Sequence, residues 1–263
     1  MLKLEHLTLG YGRQTVLTDI SLTAEKREML GIIGPNGSGK STLIKGICHL
    51  LEPRTGRVLI DGKDVSRLSR GQLARLMAVV PQTPNLPDTF TAFEIVLMGR
   101  TPYLGRFRFE GIRDFDIAWK AMGITNTQSI AERTMDQLSG GQKQLLTIAR
   151  ALAQEPELIL LDEPTAHLDI NYQVETLSFV RSLCKEKMLT ALTVLHDLNL
   201  AAQYCDRLAL VSNGRLHAVG TPYDVITEKN ISEVYGANVS VYPHPVNNLP
   251  TTLITPVNGK PFN

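Results

Sequence analysis

The chain has 263 residues, enough for one large domain or a domain carrying a subdomain. Apolar residues make up 43% and the net charge is +1, so a sizeable core is available and no basic excess announces a nucleic-acid partner. Cys48, Cys184 and Cys205 form no CxxC pair and suit a reducing compartment, and no run approaches the ~20 apolar residues of a membrane-spanning helix.

The opening MLKLEHLTLGYG lacks the basic start and apolar block of an export leader. With QTVLTDISLTA it reads as β structure punctuated by glycine. MLGIIG (29–34) reads as a buried strand. Residues 41–51 place Leu43, Ile44, Ile47 and Leu51 on one helical face, with Pro53 closing the helix. GRVLIDG (56–62) and RLMAVVPQ (75–82) read as strands, the second ended by Pro81. From 84 to 137 the character changes: scattered prolines, an aromatic and basic loop (RTPYLGRFRFEG), and helix-like stretches around 91–99 and 113–123. This part, with the helix that follows it to about residue 155, is expected to be a helical subdomain inserted into the main sheet.

LSGGQ (138–142) precedes a run with Leu145, Ile148, Ala149 and Leu152 at helical spacing, ending near Pro156. Ser139 is the expected N-cap, with Gly140 and Gly141 in or beside the first turn, and such a helix start is an anion site. LILLD (158–162) suits a parallel strand covered on both faces. Residues 172–187 read as a helix, LTALTVLH (189–196) as a strand, and DLNLAAQYCD as a helix. RLALVSNGRLHAVG reads as a hairpin turning at Asn213-Gly214. The tail from 221 reads as one short helix and a Pro- and Asn-rich end.

GPNGSGKS (34–41) follows an apolar strand and opens a helix, the setting a phosphate-binding loop requires. Its glycines let backbone amides wrap the phosphates, Lys40 brings charge to the β and γ phosphates, and Ser41 offers a hydroxyl to Mg²⁺. Asp162 ends a strand and is placed to hold Mg²⁺, while Glu163 is placed to activate water. Alone, that acidic pair reads as a solvated loop; beside a phosphate loop it reads as catalytic. Gln82 stands after a strand, where a contact to Mg²⁺ or the attacking water would reach the inserted subdomain. His196 ends another strand, within reach of a γ phosphate. Tyr11 either stacks on adenine or is an ordinary half-buried tyrosine. The other five histidines show no metal-ligand spacing.

GPNGSGKS, Gln82, LSGGQ, LILLDEP, the AHLD run (166–169) and His196, in this order, resemble the ATP-binding cassette ATPases over roughly residues 2–240. The resemblance implies an α/β fold. It consists of a P-loop NTPase core with a mixed sheet, an N-terminal antiparallel β subdomain and an inserted helical subdomain at about 84–155. Residues 1–240 would be one cassette and 241–263 a C-terminal tail. ATP and Mg²⁺ are the implied cofactors. Tyr11 would stack on adenine. Gly34, Pro35, Asn36, Gly37, Ser38, Gly39, Lys40, Ser41 and Thr42 would cradle the phosphates. Ser41, Gln82 and Asp162 would face the metal. Glu163 would be the general base, His196 the switch histidine and Asp169 the D-loop aspartate. Two cassettes would pack head to tail, so that Ser139, Gly140, Gly141 and Gln142 of one cover the ATP of the other.

MGRTPYLGRF (98–107), PTAHLDI (164–170) and HDLNLAAQYCD (196–206) are similar to importer ATPases for iron-siderophores, haem and cobalamin. Such subunits lie peripherally on the cytoplasmic face of the plasma membrane, beneath a separate permease fed by a substrate-binding protein. The loop 100–113, with Arg100, Tyr103, Arg106, Phe107 and Arg108, is then expected to meet the permease. Iron-chelate import is the implied function; a cobalamin or other metal-chelate importer and an exporter ATPase share the catalytic motifs. A nucleic-acid-linked cassette would bring tandem cassettes or a long coiled coil, and neither is visible. A phosphate-loop kinase would lack LSGGQ and the Glu163 and His196 pair.

Overall fold

The computed structural model describes residues 1–83, 86–105, 109–186 and 189–254. β1 (Leu2–Tyr11) turns its leucines 2, 4, 7 and 9 inward and pairs antiparallel with β2 (Gln14–Ala24). β3 (Met29–Ile33) is buried at every position, as a central strand covered on both faces must be. α1 (Lys40–Ile47) starts directly after the phosphate loop. It stops short of the expected Leu51: Cys48 is the C-cap, His49 turns left-handed at φ 54°, and Leu50 is 79% exposed. β4 (Thr55–Ile60) and β5 (Lys63–Asp64) complete a four-stranded sheet ordered β2-β1-β4-β5.

The expected strand 75–82 is shorter than anticipated, because α2 (Arg70–Leu76) occupies its start and β6 covers only Met77–Val80. Ser69 and Gln72 form a reciprocal capping box that starts α2. α3 (Ala92–Leu97), a 3₁₀ turn over 98–103, α4 (Ile112–Ile124) and α5 (Gly140–Ala153) then pack around their own core, which includes Ile95, Met122, Leu146 and Ala149.

β7 (Leu158–Asp162), α6 (Ile170–Glu186), β8 (Thr190–Val194) and α7 (Leu198–Tyr204) lead to a hairpin of β9 (Arg207–Ser212) and β10 (Arg215–Gly220). Asn213 (φ 48°) and Gly214 (φ 73°) make its turn, the positive pair that a two-residue hairpin needs. The tail holds more than the one helix anticipated. α8 (Pro222–Val225) and α9 (Glu228–Tyr235) are followed by a hairpin of β11 (Val239–Pro243) and β12 (Pro250–Ile254).

The main sheet is ordered β10-β9-β3-β8-β7-β6, parallel except for β10. One core lies between this sheet, α1 and the antiparallel sheet, and a second lies under α6 and α7 on the opposite face. Parallel strands share one carboxyl edge. Gly34 after β3, Gln82 beyond β6, Glu163 after β7 and His196 beyond β8 therefore gather there.

The structure corrects the reading of Arg100 and Tyr103 in the basic aromatic loop. Arg100 is 2% exposed and pairs with Asp114 (3.0 Å) and Glu155 (2.9 Å), and it donates to the Ala153 carbonyl at 2.7 Å. Its guanidinium lies 4.0 Å from the Tyr103 ring centroid, and the Tyr103 hydroxyl donates to the Gln154 carbonyl. These two residues bind the 3₁₀ turn to α4 and to the end of α5 and present no free basic surface. Arg106, Phe107 and Arg108 lie outside the described residues. Among the described residues, no helix is long and apolar enough to cross a membrane.

Candidate active site

The phosphate loop joins β3 to α1, with Gly39 left-handed (φ 105°) as the helix cap. Pro35, Asn36 and Gly37 arch outward, while Ser38 and Thr42 are buried and Ser41 is exposed at the helix start. Lys40 is 6% exposed, and its Nζ donates to the Gly34 carbonyl (2.7 Å) and the Pro35 carbonyl (2.9 Å). The ammonium thus spans the loop whose amides form an anion nest. Burial lowers the Lys40 pKa, and the carboxylates of Glu163 and Asp162 oppose that shift.

Asp162 is the last residue of β7 and pairs in register with Val194 of β8. Its Oδ1 is buried and has no hydrogen-bond partner. Burial raises its pKa, and the neighbouring Glu163 charge adds to this; Lys40, Lys45 and His196 pull the other way. A buried, unpartnered carboxylate oxygen beside a phosphate loop suits a hard cation with oxygen ligands, and the exposed Ser41 hydroxyl is a second oxygen of that kind. Among the described residues no cluster of three or more His, Cys, Asp or Glu is placed to hold a metal alone. The single Asp162 carboxylate and the Ser41 hydroxyl fit Mg²⁺, which takes one or two carboxylates and completes its shell with phosphates and water.

Glu163 sits at φ 51°, a left-handed backbone that costs a non-glycine residue on the order of 1 kcal/mol or more. Two side chains hold it. Gln82 Nε2 donates to Glu163 Oε2 at 2.6 Å, and His196 Nε2 lies 2.5 Å from Glu163 Oε1. The three residues expected to be catalytic therefore meet at one carboxylate, although they come from the ends of three different strands.

Ser139 caps α5: its Oγ accepts from the Gln142 N–H (3.3 Å) and its own N–H donates to Gln142 Oε1 (3.0 Å). Gly140 is open, whereas Gly141 is pressed by Tyr172. A Cβ on Gly141 would stand 2.3 Å from that ring. Asp169 accepts from the Tyr172 N–H at 3.1 Å and so starts α6. In this arrangement its carboxylate orders the start of α6, which places the Tyr172 ring against Gly141. Tyr172 escaped the sequence reading because a tyrosine in a helix start carries no signal of a contact thirty residues upstream. Tyr11 ends β1 at 46% exposure, and Lys45 Nζ lies 5.7 Å from its ring centroid. Lys45, on α1, also escaped the reading. The three cysteines are buried and unpaired, and burial beside Asp162 pushes Cys48 up to about 12.

Residues 17–166 match the ABC transporter family. The achromobactin transport ATP-binding protein of Dickeya dadantii is 39% identical over 91% of this chain and 89% of its own length. The hemin import ATP-binding protein of Pseudomonas fluorescens is 42% identical over 93% and 96%. Among solved structures, an inward-facing metal-chelate type ABC transporter superposes with a TM-score of 0.85 at 26% identity over 97% of both chains. A dimeric bacterial ABC transporter cassette superposes at 0.73 with 31% identity, over 84% of this chain and 98% of that one. With the phosphate loop and the carboxylate pair at one sheet edge and LSGGQ at the start of α5, the chain belongs to the ABC transporter family, as one of its ATP-hydrolysing cassettes.

Proposed function

We propose that this cassette powers import of an iron chelate, a siderophore complex or haem, through a separate membrane permease. The observation that carries the catalytic part is the Glu163 carboxylate, held between Gln82 and His196 next to Lys40 and Asp162. The cargo class is supported by the hemin import and achromobactin transport relatives and by the metal-chelate type structure. A cobalamin importer is the second reading within the same chemistry.

In this mechanism the N–H-bearing residues of the loop 34–42, with Pro35 shaping its turn, and Lys40 bind the phosphates, and Tyr11 covers the base. Asp162 and Ser41, with the Gln82 side-chain oxygen, would hold Mg²⁺. The chemistry this metal would supply when bound is positive charge opposite the phosphate oxygens. Glu163 accepts a proton from the attacking water, and His196 orients that water and the γ phosphate. Catalysis is then positioning and charge stabilisation.

Ser139, Gly140, Gly141 and Gln142 reach the nucleotide of a second copy, a reading that the dimeric cassette relative supports. ATP joins the two copies and hydrolysis releases them. The cassette carries the helical subdomain at about 84–155, and the boundary expected at 240 falls inside β11, so the C-terminal segment begins with that hairpin at Val239. The helical layer exposes Phe115 and Trp119 packed on Phe93, and this aromatic face, rather than Arg100 and Tyr103, meets the permease. The complex stands at the cytoplasmic face of the membrane, fed by a substrate-binding protein, without nucleic acid.

Uptake tests this reading. Cells carrying wild type or Lys40→Ala receive labelled ferric siderophore, haem and cobalamin in parallel. Loss of an iron-chelate uptake is the expected result. Loss of cobalamin uptake alone selects the second reading, and three unchanged uptakes reject import of this cargo class. For the shared site, Glu163→Gln is expected to form an ATP-dependent dimer by size-exclusion chromatography. A variant that stays monomeric in saturating ATP and Mg²⁺, with its permease as well as alone, removes it.

A further inference from the structure

Arg54 stands between α1 and β4, outside every motif named above. Its Nη2 donates to the carbonyls of Gly12 (2.9 Å) and Gln14 (2.8 Å). Its Nη1 donates to Thr15 Oγ1 (2.7 Å) and reaches the Arg13 carbonyl at 3.5 Å. All these acceptors lie in or beside the two-residue turn that joins β1 to β2, where Tyr11 pairs with Gln14. Gly10 makes the approach possible: a Cβ there would stand 2.8 Å from Arg54 Nη2 and 2.1 Å from the Gln14 carbonyl. The Arg54 backbone is itself pinned, its N–H donating to the Thr8 carbonyl at 2.9 Å.

Tyr11 is thus the residue between a glycine that admits the guanidinium and a turn that the guanidinium ties down. Without Arg54, the turn is an exposed hairpin tip with glycine at its first position, the kind of segment that frays. The rest of β1 is seated on α1: Leu9 packs against Gly46, and Lys45 stands near the Tyr11 ring. The base of the hairpin is therefore in register with the helix that follows the phosphate loop, and Arg54 extends that register to the tip.

We propose that Arg54 is a positioning residue for nucleotide binding: it holds the β1–β2 turn so that the Tyr11 ring is preorganised over the base. This rests on the reading that Tyr11 covers the base. Two guanidinium nitrogens reach acceptors spread over residues 12 to 15 from one rigid plane, a spread that the point-like ammonium of lysine does not match. Preorganisation lowers the ordering cost of binding and leaves the phosphate contacts unchanged. The effect belongs to ligands that carry a base and is absent for ligands that carry only phosphates.

The test is titration calorimetry of the full chain with ATP and, separately, with inorganic tripolyphosphate. Tyr11→Ala is expected to weaken ATP binding roughly tenfold, and Arg54→Ala about three- to tenfold, the range that loss of base stacking allows. Neither variant should alter tripolyphosphate binding, Arg54→Lys should behave as Arg54→Ala, and the double variant should be no weaker than Tyr11→Ala. If Tyr11→Ala weakens ATP and Arg54→Ala does not, the positioning role is overturned while the base reading stands. If Arg54→Ala weakens tripolyphosphate equally, Arg54 supports the whole site and the inference also falls. If Tyr11→Ala leaves ATP binding unchanged, the base reading fails and takes the inference with it.

Discussion

Glu163 and Asp162 are adjacent in the chain, yet their surroundings differ. Glu163 has two side-chain partners, Gln82 and His196, whereas Asp162 Oδ1 has none and is held at a raised pKa by burial and by the Glu163 charge. The sign of the consequence follows from linkage. The unfolded Asp162 releases its proton at lower pH than the folded one. Its contribution to the stability of the nucleotide-free protein is therefore present below the unfolded pKa and lost as pH rises through the folded pKa. Asp162→Asn removes that charge. At neutral pH the variant should melt at a higher temperature than wild type without nucleotide or Mg²⁺, while its ATPase activity falls. The difference in Tm should close on acidification toward the ordinary carboxylate range. A lower Tm at neutral pH would mean that Asp162 is stabilised in the folded chain and does not wait for a cation. Both residues were legible from LILLDEP because a strand end beside a phosphate loop leaves carboxylates few other tasks. The Gln82 contact was not legible, since an exposed loop glutamine carries no local signal.

At the scale of elements, α5 depends on its first turn. The Ser139 cap satisfies one orphan amide, and Ser139→Ala should cost about 1 kcal/mol of stability, read from urea unfolding. Gly141→Ala should destabilise the fold as well, because the new methyl meets the Tyr172 ring. Shrinking that ring in Gly141→Ala/Tyr172→Ala should recover most of the loss; if it does not, the ring is not what excludes a side chain at 141. Arg100 ties three elements together. Arg100→Ala removes a buried guanidinium, its bond to the Ala153 carbonyl and its pair with the largely buried Asp114, and should cost about 3–5 kcal/mol, again by urea unfolding, while the half-exposed Glu155 adds little. A cost below about 1 kcal/mol would return Arg100 to the surface role first expected of it. That expectation failed for a physical reason: RTPYLGRFRFEG has the composition of a solvated loop, and the acidic partners of Arg100 lie 14 and 55 residues away. Strands with continuous apolar runs and helices with one apolar face were readable in place. The tail hairpin was not, because it is held by side chains of another element. Asn199 on α7 accepts from the Thr252 N–H (2.8 Å) and hydroxyl (2.7 Å), taking the part of a neighbouring strand.

At the scale of the molecule, one sheet edge collects the phosphate loop, Gln82, the carboxylate pair and His196, because β3, β6, β7 and β8 all run the same way. The LSGGQ residues stand elsewhere, at the start of α5, and what lies against Gly141 is the chain's own Tyr172. A complete site on the reading above takes two copies, so nucleotide binding and association are one equilibrium. Stability then responds to protein concentration in a particular way. A ligand that binds one folded monomer stabilises it according to its own concentration, by about 2.7 kcal/mol at a hundredfold excess over Kd, and raises Tm with no dependence on the protein. A ligand that joins two monomers adds a term that grows with protein concentration. Glu163→Gln in saturating ATP and Mg²⁺ should therefore show a Tm that climbs as the protein is concentrated across two decades. The same variant with ADP should show a constant Tm. Equal behaviour with both nucleotides would mean that the γ phosphate does not bridge the copies, and that Ser139 and Gly141 read something other than a partner's ATP.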